Sequence, residues 1–170
     1  MIAIRAEGLE DIAAIRQVHE RAFGRPNEAT LVELLRKANK AAIALVALGD
    51  GQVVGHIVFS PITVAVAPKR FRAVGLGPVS VRPEFQKTGI GSQLIRHGLK
   101  LCKQAGYDAV VVLGDPNYYS RFGFSRASDY HLDNEYNARE EFMAMELTEG
   151  AMKDVKGMAK YQPKFSQSDC

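Results

Sequence analysis

The 170-residue sequence contains no tryptophan and only two cysteines, Cys102 and Cys170. Two thiols cannot staple a disulfide scaffold, and neither has a cysteine or histidine neighbour at metal-ligand spacing, so no metal is expected. Runs of five or six like charges are missing as well, and the net charge is only +3. A nucleic-acid surface needs basic residues concentrated on one face with aromatics between them; that pattern is absent, and neither DNA nor RNA is expected as a partner. No apolar stretch approaches the ~20 residues of a membrane span. The opening segment Met1-Ile-Ala-Ile-Arg-Ala-Glu-Gly lacks the apolar centre of a secretion signal. These absences point away from the membrane and toward a cytoplasmic protein. Internal repeats and low-complexity tracts are also lacking.

What is present is an ordinary globular composition, 46% apolar, in a chain long enough to bury a core without staples. A single domain over residues 1–170 is expected. Ile2 to Arg5 alternates and predicts a first strand. Leu9, Ile12, Ile15, Val18 and Phe23 mark a helix from about Glu10 to Arg21, stopped by Gly24 and Pro26. Asn27 is placed to cap a second helix whose inward face is Leu31, Leu34, Leu35 and Ala38. Ile43 to Leu48 and Val53 to Val58 flank Gly49-Asp50-Gly51, a hairpin signal. Pro61 separates a further strand, Ile62 to Val66, and Phe71 to Val81 forms another, bent by Gly75, Gly77 and Pro78. Tyr107 to Leu113 reads as a buried parallel strand. Asp115 is expected to cap a short helical turn with Pro116 at its first position. Phe124 to Arg126 and Phe142 to Leu147 are the last expected strands, joined by a polar loop from Ser128 to Glu141. The tail carries Val155, Met158, Tyr161 and Phe165 for docking and is expected to fray from Ser166.

The chemistry concentrates between Leu76 and Leu101. An apolar strand ends at Val81, and Leu94, Ile95, Gly98, Leu99 and Cys102 then recur at helical spacing. Between them stands Gln86-Lys87-Thr88-Gly89-Ile90-Gly91-Ser92. A strand-to-helix turn with two glycines exposes unpaired N–H groups at the positive end of a helix dipole, which suits a diphosphate. The dinucleotide pattern G-x-G-x-x-G is not met, since Leu94 stands three positions after Gly91. A Walker A loop is excluded because no Gly-Lys-Ser/Thr follows. Taken alone, the turn is equally compatible with a plain connection.

Val79-x-Val81-x-Pro83-x-x-Gln86-x-x-Gly89-x-Gly91 resembles motif A of the GNAT superfamily of acetyl-CoA-dependent N-acetyltransferases. Tyr119-Ser-Arg-Phe-Gly123-Phe124 is similar to the family's second signature, a tyrosine and a basic residue ahead of Gly-Phe. The resemblance extends over nearly the whole chain, and the stretches from Leu76 to Gln86 and from Gly114 to Phe124 are similar to a bacterial branch of predicted acetyltransferases. It implies an α/β (α+β) fold: a central, mixed, mostly antiparallel twisted sheet with one splayed parallel strand pair, flanked by about four helices. It departs from the family at Val112, where many members carry asparagine.

The resemblance also implies roles. Acetyl-CoA is the cosubstrate, its diphosphate on the backbone N–H groups of Gln86, Lys87, Thr88, Gly89, Ile90, Gly91 and Ser92. Lys87 either adds charge there or is simply an exposed turn lysine. Val79 and Val81 present backbone groups to the pantetheine arm and thioester, and Asn117 is a further contact to that arm. Tyr119 takes the general-acid position, against a reading as a tyrosine packed beside the cofactor tail. Glu28, at the start of the second helix, is the candidate base for a cationic amine, against a reading as an ordinary helix-start glutamate. His56 is expected to be a satisfied, half-buried strand residue, and His19 and His97 solvated helix residues. His131 with Asp129, Asp133 and Glu135 forms either a cation-attracting cluster or a solvated loop. The expected reaction is direct acetyl transfer to a primary amine of a small molecule or protein, without an acyl-enzyme. The rival is a non-catalytic acetyl-CoA sensor that binds a partner protein. A longer acyl donor and a homodimer stay open.

Overall fold

The computed structural model describes residues 1–168; Cys170 lies outside them. The described chain gathers into two units. The first comprises residues 1–60, 77–98 and those from Pro163 onward. Here β1 (Ile2–Ala6) runs antiparallel to β2 (Ile43–Gly49), which turns into β3 (Gln52–Val66). The turning residues Asp50 and Gly51 both have positive φ, 51° and 80°. That is what a two-residue type I′ hairpin requires.

A 3₁₀ turn over Leu9–Asp11 leads into α1 (Ile12–Phe23). The helix stops where Gly24 adopts the left-handed conformation and donates to Glu20 O at 2.9 Å. Ile15 and Val18 of α1 pack with Leu31, Val32 and Leu35 of α2 (Asn27–Lys37), and Val46, Val53 and Val58 from the strands complete this core. Asn27 is not the cap. Pro26 already closes the first turn, its carbonyl accepting from Thr30 N–H at 2.9 Å. The Asn27 amide instead donates to Ser168 O at 3.0 Å. Nor is the tail frayed at Ser166: it is ordered through Ser168, and the rest of that expectation, residues 169–170, lies outside the described residues. The tail forms α5 (Lys164–Gln167), Phe165 packs against the core, and the Ser168 hydroxyl donates to Lys164 O and Phe165 O.

Two elements that carry the site belong partly to this unit: the second half of β4 (Ala73–Val81) and the first half of α3 (Ile90–Gln104). Ile90, Leu94 and Ile95 are buried, and a Cβ on Gly98 would lie 2.3 Å from Phe59 Cε1. Gly98 therefore exists to admit the phenyl ring.

The second unit comprises Pro61–Leu76 and Leu99–Gln162. β4 pairs in parallel with β5 (Ala109–Leu113) from Ala73↔Ala109 to Leu76↔Val112, while β4 itself runs on to Val81. The short α4 (Pro116–Tyr119) follows, capped as expected by Asp115, whose carboxylate accepts from Asn117 N–H at 2.9 Å. Next come β6 (Ser125–Arg126), β7 (Leu132–Asn134) and β8 (Phe142–Glu146), the last antiparallel to β5. The final strand, β9 (Lys156–Lys160), pairs with β7 and with the end of β3. Cys102 is buried, which pushes its thiol up to about 12.

Two further expectations need correction. Pro61 does not divide two strands, because β3 is continuous from Gln52 to Val66. The proline falls between the β2 ladder, which ends at Phe59, and the β9 ladder, which begins at Thr63, so its missing N–H breaks no pairing. The polar loop after Ser128 contains β7, pinned where Asn134 Oδ1 accepts from Tyr136 and Ala138 N–H, both at 3.0 Å. Among the described residues nine strands form one mixed sheet, with the path β1-β2-β3-β4-β5-β8-β6 and β9 and β7 branching from β3.

Candidate active site

The turn after β4 is built by its own side chains. Gln86 Nε2 donates to Val81 O at 2.9 Å and Thr88 Oγ1 to Phe85 O at 2.5 Å, so both ends are tied to the preceding strand and turn. Lys87 and Gly89 take positive φ, 63° and 90°, and a Cβ on Gly89 would meet nothing within 4 Å. The backbone is thus open to an approaching group at Gly89. The α3 ladder begins with Gln93 N–H donating to Gly89 O at 3.0 Å, so the helix presents its first-turn N–H groups at this end. Concave N–H groups and a helix dipole make a cradle of the kind a diphosphate fits.

The expected cofactor residues divide by burial. Gln86, Lys87, Thr88 and Gly89 are exposed, Gly91 and Ser92 half-buried, and Ile90 buried. Ile90 therefore offers its backbone only. Val79 is half-buried and Val81 buried. Glu28, in the same unit, is buried at the start of α2 and ion-paired with Arg25, whose Nε donates to Oε1 at 2.9 Å.

In the second unit Tyr119 ends α4, with its ring packed edge-on to Tyr118 and Phe124 at centroid distances of 5.0 and 5.8 Å. Burial, and secondarily Tyr118, push its phenol up to about 12, so it is fully protonated at neutral pH. Gly114 makes room for it, since a Cβ there would sit 2.2 Å from Tyr119 Cε2. Asn117 is exposed on the same short helix. In the loop beyond, His131 is exposed, while Glu135 accepts from Tyr161 N–H at 3.0 Å and so serves the fold.

Sequence reasoning missed a buried file of side chains in the first unit. His56 Nε2 lies 2.7 Å from Glu7 Oε1, His56 Nδ1 lies 2.9 Å from His19 Nε2, and His19 Nδ1 lies 2.8 Å from Ser80 Oγ. His19 is not a solvated helix residue and His56 is not half-buried: both are 0% exposed. Spacing could have revealed His19, which stands four residues after Ile15 on the apolar stripe of α1. Burial lowers both imidazoles, His19 to about 3. Glu7 is lowered to about 2, hydrogen bonds from His56 and Arg36 outweighing the opposing effect of burial.

Comparison with known proteins identifies the family. A family model described as an acetyltransferase (GNAT) domain matches residues 3–127. The uncharacterized N-acetyltransferase YhbS of Escherichia coli K12 is 36% identical over 166 residues, spanning 96% of this chain and 98% of the relative. A crystal structure of the E. coli GNAT family N-acetyltransferase YhbS in complex with CoA superposes with a TM-score of 0.91 at 35% identity, covering 97% of this chain and 92% of that one. A GNAT family acetyltransferase from Brucella melitensis, in complex with acetyl-CoA, gives 0.80 at 39% identity, with 97% and 98% covered.

Proposed function

Because the chain belongs to the GNAT family of acetyltransferases, we propose that it moves an acetyl group from acetyl-CoA directly to a primary amine of a small molecule or protein. The observation that carries this reading is the turn after Val81, where a left-handed Gly89 with open space at its Cβ position meets the first-turn N–H groups of α3. Two relatives whose structures contain CoA or acetyl-CoA support the same ligand here.

Bound acetyl-CoA supplies an activated acetyl group whose carbonyl oxygen gains charge as the amine attacks. The backbone from Gln86 to Ser92 holds the diphosphate, and Lys87 adds a positive charge beside it. Val79 N–H donates to the carbonyl oxygen, a contact worth ~3 kcal/mol in comparable sites. Val81 and Asn117 line the pantetheine arm. Tyr119 gives its phenolic proton to the departing sulfur. Glu28 offers a carboxylate to the cationic amine and is one acceptor for its proton. No acyl-enzyme is invoked, since the Cys102 thiol is buried and remains a thiol at neutral pH.

Calorimetry with CoA and acetyl-CoA tests the first part, and a panel of amines assayed for CoA release tests the second. Tyr119→Phe should lower kcat by ~100-fold or more at neutral pH, and Glu28→Gln should raise KM for the amine. No heat with either ligand ends the reading. Tight binding with no amine acetylated turns it into an acetyl-CoA sensor.

A further inference from the structure

A cavity of about 520 Å³, within the range of small-ligand sites, lies wholly in the second unit. Its apolar lining includes Leu132 of β7 and Phe142 of β8, both buried. Its charged lining is Arg126, Asp133, Arg139 and Glu140, all exposed. Both signs of charge therefore border one space of small-molecule size. Among the described residues Asp133, Arg139 and Glu140 form no ion pair, and Arg126 has only a long one, 3.9 Å to Asp129. The loop that carries two of these groups is fastened at both ends. Asn134, 6% exposed, accepts from Tyr136 and Ala138 N–H and donates to Ala138 O at 2.8 Å. Phe142 N–H donates to Arg139 O at 3.1 Å. Less chain then has to be ordered when a ligand arrives. The cavity also adjoins the segment that bears Tyr119. Phe142 pairs with Leu113 at the end of β5, and Gly114 N–H donates to Glu141 O at 2.9 Å. Gly114 is the residue whose missing Cβ admits the Tyr119 ring.

We propose that this cavity binds the amino-acid head group of the acetyl acceptor, and that the amine acetylated stands at the end of that acceptor's side chain. The proposal rests on the acetyltransferase reading and names its substrate class, a diamino acid. Arg126 and Arg139 take the carboxylate, which the planar guanidinium fork matches. Asp133 and Glu140 take the α-ammonium. A lone anion or cation would need one sign of charge; a zwitterion needs both. The ammonium held by the two carboxylates is not the one that reacts, because an ion-paired ammonium keeps its proton. The second amine, carried on a flexible chain, reaches past the end of β5 toward Tyr119. The transfer balances without an added reagent. One nitrogen proton goes to solvent before attack, and the C–N bond forms as the C–S bond breaks. A second nitrogen proton then replaces the one that Tyr119 gives to sulfur.

The test pairs NMR titration with kinetics on the full chain. L-lysine or L-ornithine added to the CoA-loaded protein should shift backbone amides between Leu132 and Phe142. With acetyl-CoA, the product should carry its acetyl group on the side-chain nitrogen. For L-lysine kcat/KM should exceed by ~10-fold or more the values for cadaverine, which lacks the carboxylate, and ε-aminocaproate, which lacks the α-ammonium. Arg126→Ala and Arg139→Ala should each cut the preference for L-lysine over cadaverine ~10-fold, through KM rather than kcat. Glu140→Gln should cut the preference over ε-aminocaproate. Arg139→Lys, which keeps the charge without the fork, should fall between. Four results overturn the assignment while leaving the acetyltransferase reading intact: another amine acetylated as well as or better than both diamino acids, acetylation at the α-nitrogen, no amide shifts along the loop, or arginine variants that lose L-lysine and cadaverine turnover equally. A wild type that binds no CoA, or binds it and acetylates no amine, removes both.

Discussion

Two regions of the first unit invite comparison: the turn from Gln86 to Ser92, exposed as far as Gly89, and the buried file from Glu7 to Ser80. The turn works through the main chain. Its assigned donors are backbone N–H groups, its shape comes from left-handed residues and a helix start, and its parts are contiguous in sequence. The file works through side chains brought from four segments: the residue after β1, α1, β3 and β4. A loop of backbone tolerates many side chains but few shapes. A chain of buried hydrogen bonds tolerates many backbones but few side chains.

That contrast predicts different failures. Among single substitutions the largest effect should follow His56→Ala, which leaves His19 without its acceptor and Glu7 with Arg36 alone; the loss of stability should be ~3 kcal/mol or more by chemical denaturation. A denaturation midpoint within error of the wild type would mean that the file contributes nothing to the fold.

Acidification comes next. His19 is held to about 3 in the folded chain against an ordinary 6.5. As pH falls below 6.5 the unfolded chain binds protons that the folded one refuses, so stability should drop by ~1.4 kcal/mol per pH unit for each such histidine. The fall should continue toward pH 3, and Glu7, depressed to about 2, adds to it below its ordinary 4.5. A stability curve flat between pH 6.5 and pH 5 would contradict the burial of both rings.

The turn should respond in the opposite sense. Gly89→Val places a side chain against the cradle at a φ that L-residues avoid, so CoA affinity should drop by ~10-fold or more while folding loses only ~1–2 kcal/mol. Equal losses of binding and stability would erase the distinction between the regions. The smallest effect is expected from Asn27→Ala, which removes one half-exposed hydrogen bond to Ser168 O and should cost ~1 kcal/mol with no change in CoA binding.

The same contrast explains what was legible in the sequence. The turn, the hairpin at Asp50-Gly51, the Asp115 cap and the parallel strand over 109–113 all follow from residues close together in the chain, and the structure places them as expected. Motif spacing pointed to the GNAT family, and the family comparisons agree. The file could not be read in this way, because Glu7, His19, His56 and Ser80 have no common spacing and become neighbours only when the sheet and α1 pack. Asn27 was misplaced for a smaller reason: capping rules assume an unconstrained residue before the helix, and Pro26 is constrained. The short β7 escaped notice because Asp133 and Asn134 are polar, and its ladder partner, β9, lies more than twenty residues away.

Lys87 leaves one more consequence. Of the described non-glycine residues with positive φ, Asn39, Asp50, His131 and Asn137 belong to types that tolerate it, and lysine does not. A glycine at that place should relax the chain and raise its melting point slightly. The same exchange removes a tethered ammonium from the rim of the anion cradle. If Lys87 serves the proposed diphosphate site, a Lys87→Gly protein should therefore be easier to fold and harder to load with CoA, the charge having been held at some cost to the local chain.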